Sequence, residues 1–343
     1  MIRKKRNTLL FSVLIVGAVL LFFADIGLGS VSIPLKDIFK TLTGGTAAKD
    51  TWEYIIINYR LPKAITAILA GIGLSISGLL MQTLFKNPLA GPYVLGLSSG
   101  SSLGVAFLIL GSGLLPAAIS ALLVSSYGII IASCLGSLLV LIAVLIVSQR
   151  LRDTAAILIV GLMFGSFTTA FVGVLAYFST AEQLQKFTFW SLGNLGNLSW
   201  PSVLILFVAV TLGLMMSLIN IKPLDALLLG ENYAKSLGLN YKKTQFTIIL
   251  ATSILAGSIT AFAGPIAFVG LAVPHIAKLA FQTSNHYTLF WGTLLFGAII
   301  MLFCDIISQV PGSDFTLPIN AITSIIGAPI VIWLLIRKQK LTV

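Results

Sequence analysis

Side chains that could do chemistry are few in this 343-residue chain. Its only histidines are His275 and His286, and its only cysteines are Cys134 and Cys304. The two histidines are too few and too scattered for a metal site. Both cysteines lie in apolar runs and read as small core residues, not as a disulfide framework. His275 directly follows Pro274, where a structural hydrogen bond is the ordinary role of a lone histidine. Asp305, in FCDIIS near the end of an apolar run, is a more pointed case. A carboxylate in a membrane segment is costly, and it either reaches interfacial water or has a partner. GGTAAKDT (44–51) has the glycines of a phosphate loop but not its Gly-Lys-Ser/Thr ending. There is no HExxH, paired-carboxylate or nucleophile–base constellation. These residues argue for a chain that is not an enzyme, hydrolyses no ATP itself and holds no cofactor or metal.

The elements that carry these residues are set by composition. The chain is 57% hydrophobic and 9% charged, where a soluble domain carries about 25% charged residues. It therefore reads as an all-α, multi-pass membrane protein with the bilayer as its solvent. Ten spans are expected, at roughly 8–28, 63–85, 92–112, 117–148, 154–178, 201–220, 245–263, 266–282, 288–308 and 319–336. The first is read as a membrane helix, because no small-residue cleavage site follows it. The fourth is long for a simple crossing, and Pro265 separates the seventh from the eighth.

Charge distribution orients the spans. With the N-terminus in the cytoplasm, the inner pieces hold 15 of the 21 basic residues, including Arg3–Arg6, and three acids. The outer pieces hold six basic and seven acidic residues. The net charge of +11 is thus explained by the positive-inside rule, with both termini cytoplasmic, and no nucleic-acid partner is required. The whole chain reads as one transmembrane domain, with an outer amphipathic segment at 29–62 and a cytoplasmic segment at 221–244.

Three stretches break the hydrophobic pattern. In NPLAGPYVLGLSSGSSLG (87–104), Pro88 and Pro92 disfavour continuous helix. Gly96, Gly100 and Gly104 then recur every four residues on one helix face. Such a face permits close helix packing, and it could equally line a path with a non-helical mouth. In LLLGENYAKSLGL (227–239), Gly230 and Gly238 bracket a short helical piece, which is either a surface loop or a docking element. In GPIAFVGLAVPHIAK (264–278), Pro265 and Pro274 flank Gly270. ILAG at 68–71 and 254–257, each followed by a Gly-Pro segment, also hints at an inverted internal repeat.

RLPK (60–63), SGLLMQTLFKNPLAGPYVLGLSSGSSLG (77–104), LGENYAKSLG (229–238), GPIAFVGLAVPHIAK, DFTLPIN (314–320) and GAPIVIWLL (327–335) occur in this order. Together they resemble the FecCD-type permeases of ATP-binding-cassette importers, which carry ferric siderophores, haem or vitamin B12. The resemblance implies a type II importer permease of ten spans in the bacterial cytoplasmic (inner) membrane. It implies a second permease copy, most simply a homodimer, cytoplasmic ATPase subunits, and a periplasmic or lipid-anchored substrate-binding protein. It further implies an inner gate at Asn87, Pro88 and Leu89, and an ATPase-coupling element comprising Leu229, Gly230, Glu231, Ala234, Leu237 and Gly238. Arg60 and Lys63 match a basic pair that would meet acidic residues of the binding protein. Gln309 stands where the family often has arginine, and Lys278 where it often has arginine after VPH. A ferric siderophore is the favoured cargo. An ion-coupled secondary transporter is the alternative, and it would need more buried ionisable groups than this chain offers.

Overall fold

The computed structural model describes residues 2–114, 116, 124–150, 154–196, 198–313 and 315–339. Every regular element among them is helical. They are α1 (Ile2–Gly27), α2 (Leu35–Leu42), α3 (Asp50–Ile55), α4 (Leu61–Leu84), α5 (Leu97–Ile109), α6 (Ser126–Arg150), α7 (Thr154–Tyr177), α8 (Ala181–Ser191), α9 (Trp200–Ile219), α10 (Ile221–Leu228), α11 (Glu231–Ser236), α12 (Tyr241–Ala263), α13 (Val269–Phe281), α14 (His286–Ser308) and α15 (Ile319–Gln339).

Seven helical runs among the described residues are long and apolar enough to cross a membrane, and three shorter apolar helices accompany them. The expected count of ten crossings is therefore not met by length alone. The expected third and eighth spans are the 13-residue α5 and α13. At 1.5 Å per residue each covers about 20 Å, short of a hydrocarbon core of about 30 Å. Gly91–Pro92 and Gly264–Pro265 hold the preceding residues out of the helix. Part of the expected fourth span, with residues 151–153 and Asp314, lies outside the described residues.

The second expected span begins earlier than its hydropathy suggests, because helix runs from Asp50 to Leu84. It contains a wide π-turn, Ile56–Arg60, that ends two residues before Pro62. The Leu61 N–H reaches back five residues to the Ile56 carbonyl. The next such bond, to Ile57, would need an N–H that Pro62 lacks. The Trp200 indole supplies it, donating to the Ile57 carbonyl at 3.0 Å. The proline is thus accommodated by a turn of different pitch and a donor from another helix.

The chain divides into two compact units. In the first (1–76, 194–208 and 266–343), α4 and α14 meet backbone to backbone: a Cβ on Gly71 would lie 2.2 Å from the Gly297 carbonyl oxygen. Phe281 fills the space over Gly292 and packs on Phe11, with ring centroids 4.7 Å apart. Arg6 donates to the Phe281 carbonyl (3.0 Å) and the Gln282 side-chain oxygen (2.8 Å) at the end of α13.

In the second unit (77–193 and 209–265), α5 packs on α6. Toward its C-terminal end, Val105, Ala106, Ile109 and Leu110 form a core covered by residues including Phe187 and Trp190 of α8. A capping box from Thr180 and Gln183 starts α8. On its surface the Lys186 ammonium, 2.8 Å from Glu182, holds that carboxyl below its ordinary range through their hydrogen bond and its charge.

The two Gly-Pro segments behave alike. Each leads, through a residue in the left-handed region (Gly96, φ 75°; Phe268, φ 66°), into a 13-residue helix. Cys304 is buried as expected, but Cys134 is exposed on α6, because its apolar run faces outward there.

Candidate functional site

The first site residues follow α4. Lys86 has φ 47°, a conformation that costs a non-glycine residue roughly 1–2 kcal/mol. It turns the chain into a compact loop in which the Asn87 side chain accepts the Leu89 N–H at 2.9 Å and the Asn87 carbonyl accepts the Ala90 N–H at 3.1 Å. Pro88 is half-buried and Leu89 is exposed, while Ala90 is buried beneath them. A short 3₁₀ turn, Pro92–Leu95, leads to Gly96. A side chain on Gly96 would meet the Gly161 carbonyl at 3.0 Å, in addition to its left-handed φ.

Gly100 and Gly104 sit against α6. A Cβ on Gly100 would lie 2.5 Å from the Gly136 carbonyl oxygen, and one on Gly104 would lie 2.1 Å from that of Ala132. No real Cβ tolerates such distances, so the glycine face makes a helix–helix seam. Of the two uses that the spacing allows, the geometry here is that of packing.

The second group follows α10. Asn220 anchors this region, accepting the Thr247 hydroxyl at 2.9 Å. Gly230 (φ 111°) and Gly238 (φ 84°) bracket α11, whose Ala234 is fully buried. Glu231 pairs with Lys235 at 2.5 Å, and the Lys235 ammonium lies 5.6 Å from the centre of the Tyr241 ring. Leu229, Tyr233 and Leu237, four residues apart, are each more than half exposed. This is an apolar row left uncovered on a short polar segment. The ammonium of Lys86 stands 3.8 Å from where a Cβ on Gly230 would be. The Lys86 side chain therefore reaches the neighbourhood of Gly230, at the start of the bracketed helix. Nothing in the sequence joins them, since 144 positions separate the two residues.

The third group is a polar knot at the ends of α1, α4 and α14. Lys63 lies 3.1 Å from Asp305, which is 1% exposed. The Gln309 amide donates to Asp305 at 3.0 Å and to Asp25 at 2.9 Å. The Ser308 hydroxyl also donates to Asp305. Arg60 donates to the carbonyls of Ile26 (2.6 Å), Gly27 (3.0 Å) and Val31, capping the end of α1. Arg60 and Lys63 thus stand together, as their spacing suggests, but their donors are engaged within the chain. Sequence reasoning missed Asp25. An acid inside the apolar run FFADIG was the available sign.

The fourth group is dispersed. Pro265 lies between α12 and α13, while Gly270, Pro274 and His275 lie on α13, with Gly270 and Pro274 buried and His275 half-buried. The Asn320 side chain accepts the Ala267 N–H at 3.0 Å, and the Phe268 side chain fills the space over Gly327. Among the described residues, no three of His, Cys, Asp or Glu converge as a metal site would require.

Comparison with known proteins places the whole chain in a family. The pattern of the FecCD transport family matches residues 11–337. The hemin transport system permease protein HmuU of Yersinia pestis is 32% identical, with 95% of this chain and 96% of that protein covered. The vitamin B12 import system permease protein BtuC of Citrobacter koseri is also 32% identical, with 84% of each covered. A solved inward-facing conformation of a metal-chelate type ABC transporter superposes with a TM-score of 0.83 at 28% identity, covering 96% of this chain and 99% of that one.

Proposed function

Because the chain belongs to the FecCD transport family, we propose that this all-α permease, of the ABC importer class, is the translocation subunit of an ATP-driven importer of metal chelates, with a ferric siderophore as cargo. The cargo class is supported by the relatives' names: hemin and vitamin B12 are both metal chelates. In this reading two copies enclose the path, and a substrate-binding protein delivers the chelate from outside. Cytoplasmic ATPases seat the segment Leu229–Gly238, and ATP hydrolysis belongs to them.

The observation that carries the reading is the uncovered row Leu229, Tyr233 and Leu237 beside Lys86 and Gly230. An exposed apolar row on a short helix is suited to a groove in a partner. Displacement of α11 by that partner reaches the loop Asn87–Pro92 through Lys86. A ligand that binds one arrangement better than the other shifts access between them, and ATP acts this way through the ATPase.

On the outer side, the Lys63–Asp305 pair and the Arg60 cap hold the surface in shape. The binding protein meets that ordered surface, not two free cations.

The test is to express the complex with Leu229→Glu and Leu237→Glu. Both positions are exposed, so folding is spared. The expected result is loss of ATPase co-purification and of ATP-dependent chelate uptake into proteoliposomes, with unchanged membrane insertion. Retained co-purification and uptake would remove the coupling assignment. Uptake that ignores ATP and collapses with an ionophore would remove the importer reading itself.

A further inference from the structure

The outer-segment helix α2 has a face that the transport reading leaves without a use. Its residues Leu35, Phe39 and Leu42 are all exposed. At 100° per residue they fall within about 60° of one another, forming one stripe. Ile38, Asp37 and Thr41 lie on the buried side. Asp37 is internally engaged, because its carboxylate accepts the Ala48 N–H at 2.9 Å. The exposed charges of α2 are therefore both positive, Lys36 and Lys40. They sit about 95° and about 135° round from the centre of the stripe, both on one flank.

The stripe continues another. On α1, Leu9, Val13, Val16 and Leu20 are exposed with helical spacing, and α1 is long and apolar enough to cross a membrane. Phe23, one turn beyond Leu20, extends that row and stacks on Phe39 with ring centroids 4.5 Å apart. The apolar face of α2 thus joins the exposed apolar face of α1 without a break. An apolar stripe bordered by lysines is how a helix lies in a bilayer interface: the stripe meets the acyl boundary, and the long basic side chains reach the headgroups.

We propose that α2 is an interfacial helix that binds anionic lipid, with Leu35, Phe39 and Leu42 at the acyl boundary and Lys36 and Lys40 on headgroup phosphates. The proposal rests on the chain being a membrane protein and not on its cargo or energy source. Its test measures no transport.

A nitroxide is attached to Leu35→Cys, Leu42→Cys or Thr46→Cys in a Cys134→Ala, Cys304→Ala background, in lipid nanodiscs. Labels at 35 and 42 are expected to collide more with oxygen than with a water-soluble nickel chelate. The label at exposed Thr46 should show the reverse. Nickel accessibility at 35 and 42 equal to that at 46 would place the face in water and overturn the proposal. Shielding from both reagents would place it under protein, a second copy included, and overturn it equally. Melting in phosphatidylglycerol and phosphatidylcholine discs is then compared with and without Lys36→Glu and Lys40→Glu. The parent is expected to melt higher in phosphatidylglycerol, and the double variant is expected to lose that difference. An unchanged difference overturns the headgroup contact.

Discussion

Lys63 lies 3.1 Å from Asp305, and the same carboxylate shares the Gln309 amide with Asp25. Two buried acids and one half-buried ammonium are thus bound into one unit. Removing a single partner leaves an uncompensated charge, whereas removing both members of a pair need not. Lys63→Met is expected to destabilise the permease by about 3 kcal/mol. The double change Lys63→Met, Asp305→Leu should recover part of that loss. Thermal melting of the three proteins in nanodiscs checks this, and equal melting of single variant and parent would show the pair to be idle.

The seam between α5 and α6 makes a sharper contrast. Gly104→Ala puts a methyl group 2.1 Å from the Ala132 carbonyl oxygen, and overpacking of this kind costs roughly 1–3 kcal/mol. Gly173, on α7, faces open space, with nothing within 4 Å of where a methyl group would sit. Gly173→Ala should be neutral, or stabilising by up to about 1 kcal/mol through helix propensity. Folded yield and melting temperature separate the two.

Lys86 combines a strained backbone with a contact to the Gly230 region. Lys86→Gly relieves the first and removes the second. We expect unchanged folding and ATPase activity, with severalfold less chelate moved per ATP hydrolysed. Lys86→Arg keeps the charge and should retain most coupling. A normal transport ratio in Lys86→Gly would show that the contact carries no motion.

Trp200 donates the hydrogen bond that Pro62 cannot. Trp200→Phe keeps an aromatic ring but loses the donor and the indole's second ring, and should cost at least about 1 kcal/mol for the hydrogen bond. Pro62→Ala supplies a backbone N–H, so combining the two should recover stability. A double-mutant cycle on melting measures this, and strict additivity would mean that the indole bond is unimportant.

The helical class and most segment positions were legible in the sequence, because bilayer solvation leaves a strong compositional mark. The breaks at Pro88, Pro92 and Pro265 were legible too, since proline acts locally. Helix across Asp50–Arg60 was not, because its continuation past Pro62 depends on a donor from a helix about 140 residues away. The roles of Arg60 and Lys63 were half legible. Their proximity follows from helical spacing, but their partners Asp305, Ile26 and Gly27 come from elsewhere in the chain. The contact of Lys86 with the Gly230 region is likewise a product of folding alone.

The wide turn at Ile56–Arg60 also sets angular phase. An extra residue in one turn rotates everything on one side of it by about 100° relative to the other. The faces of Trp52, Tyr54 and Glu53 are therefore indexed independently of the face that carries Lys63 and packs Gly71. Trimming one residue from the turn would make a more regular helix with its N-terminal end pointing the wrong way. In that sense the irregular turn is a fixed angular offset, and it lets one continuous rod serve two differently oriented surroundings.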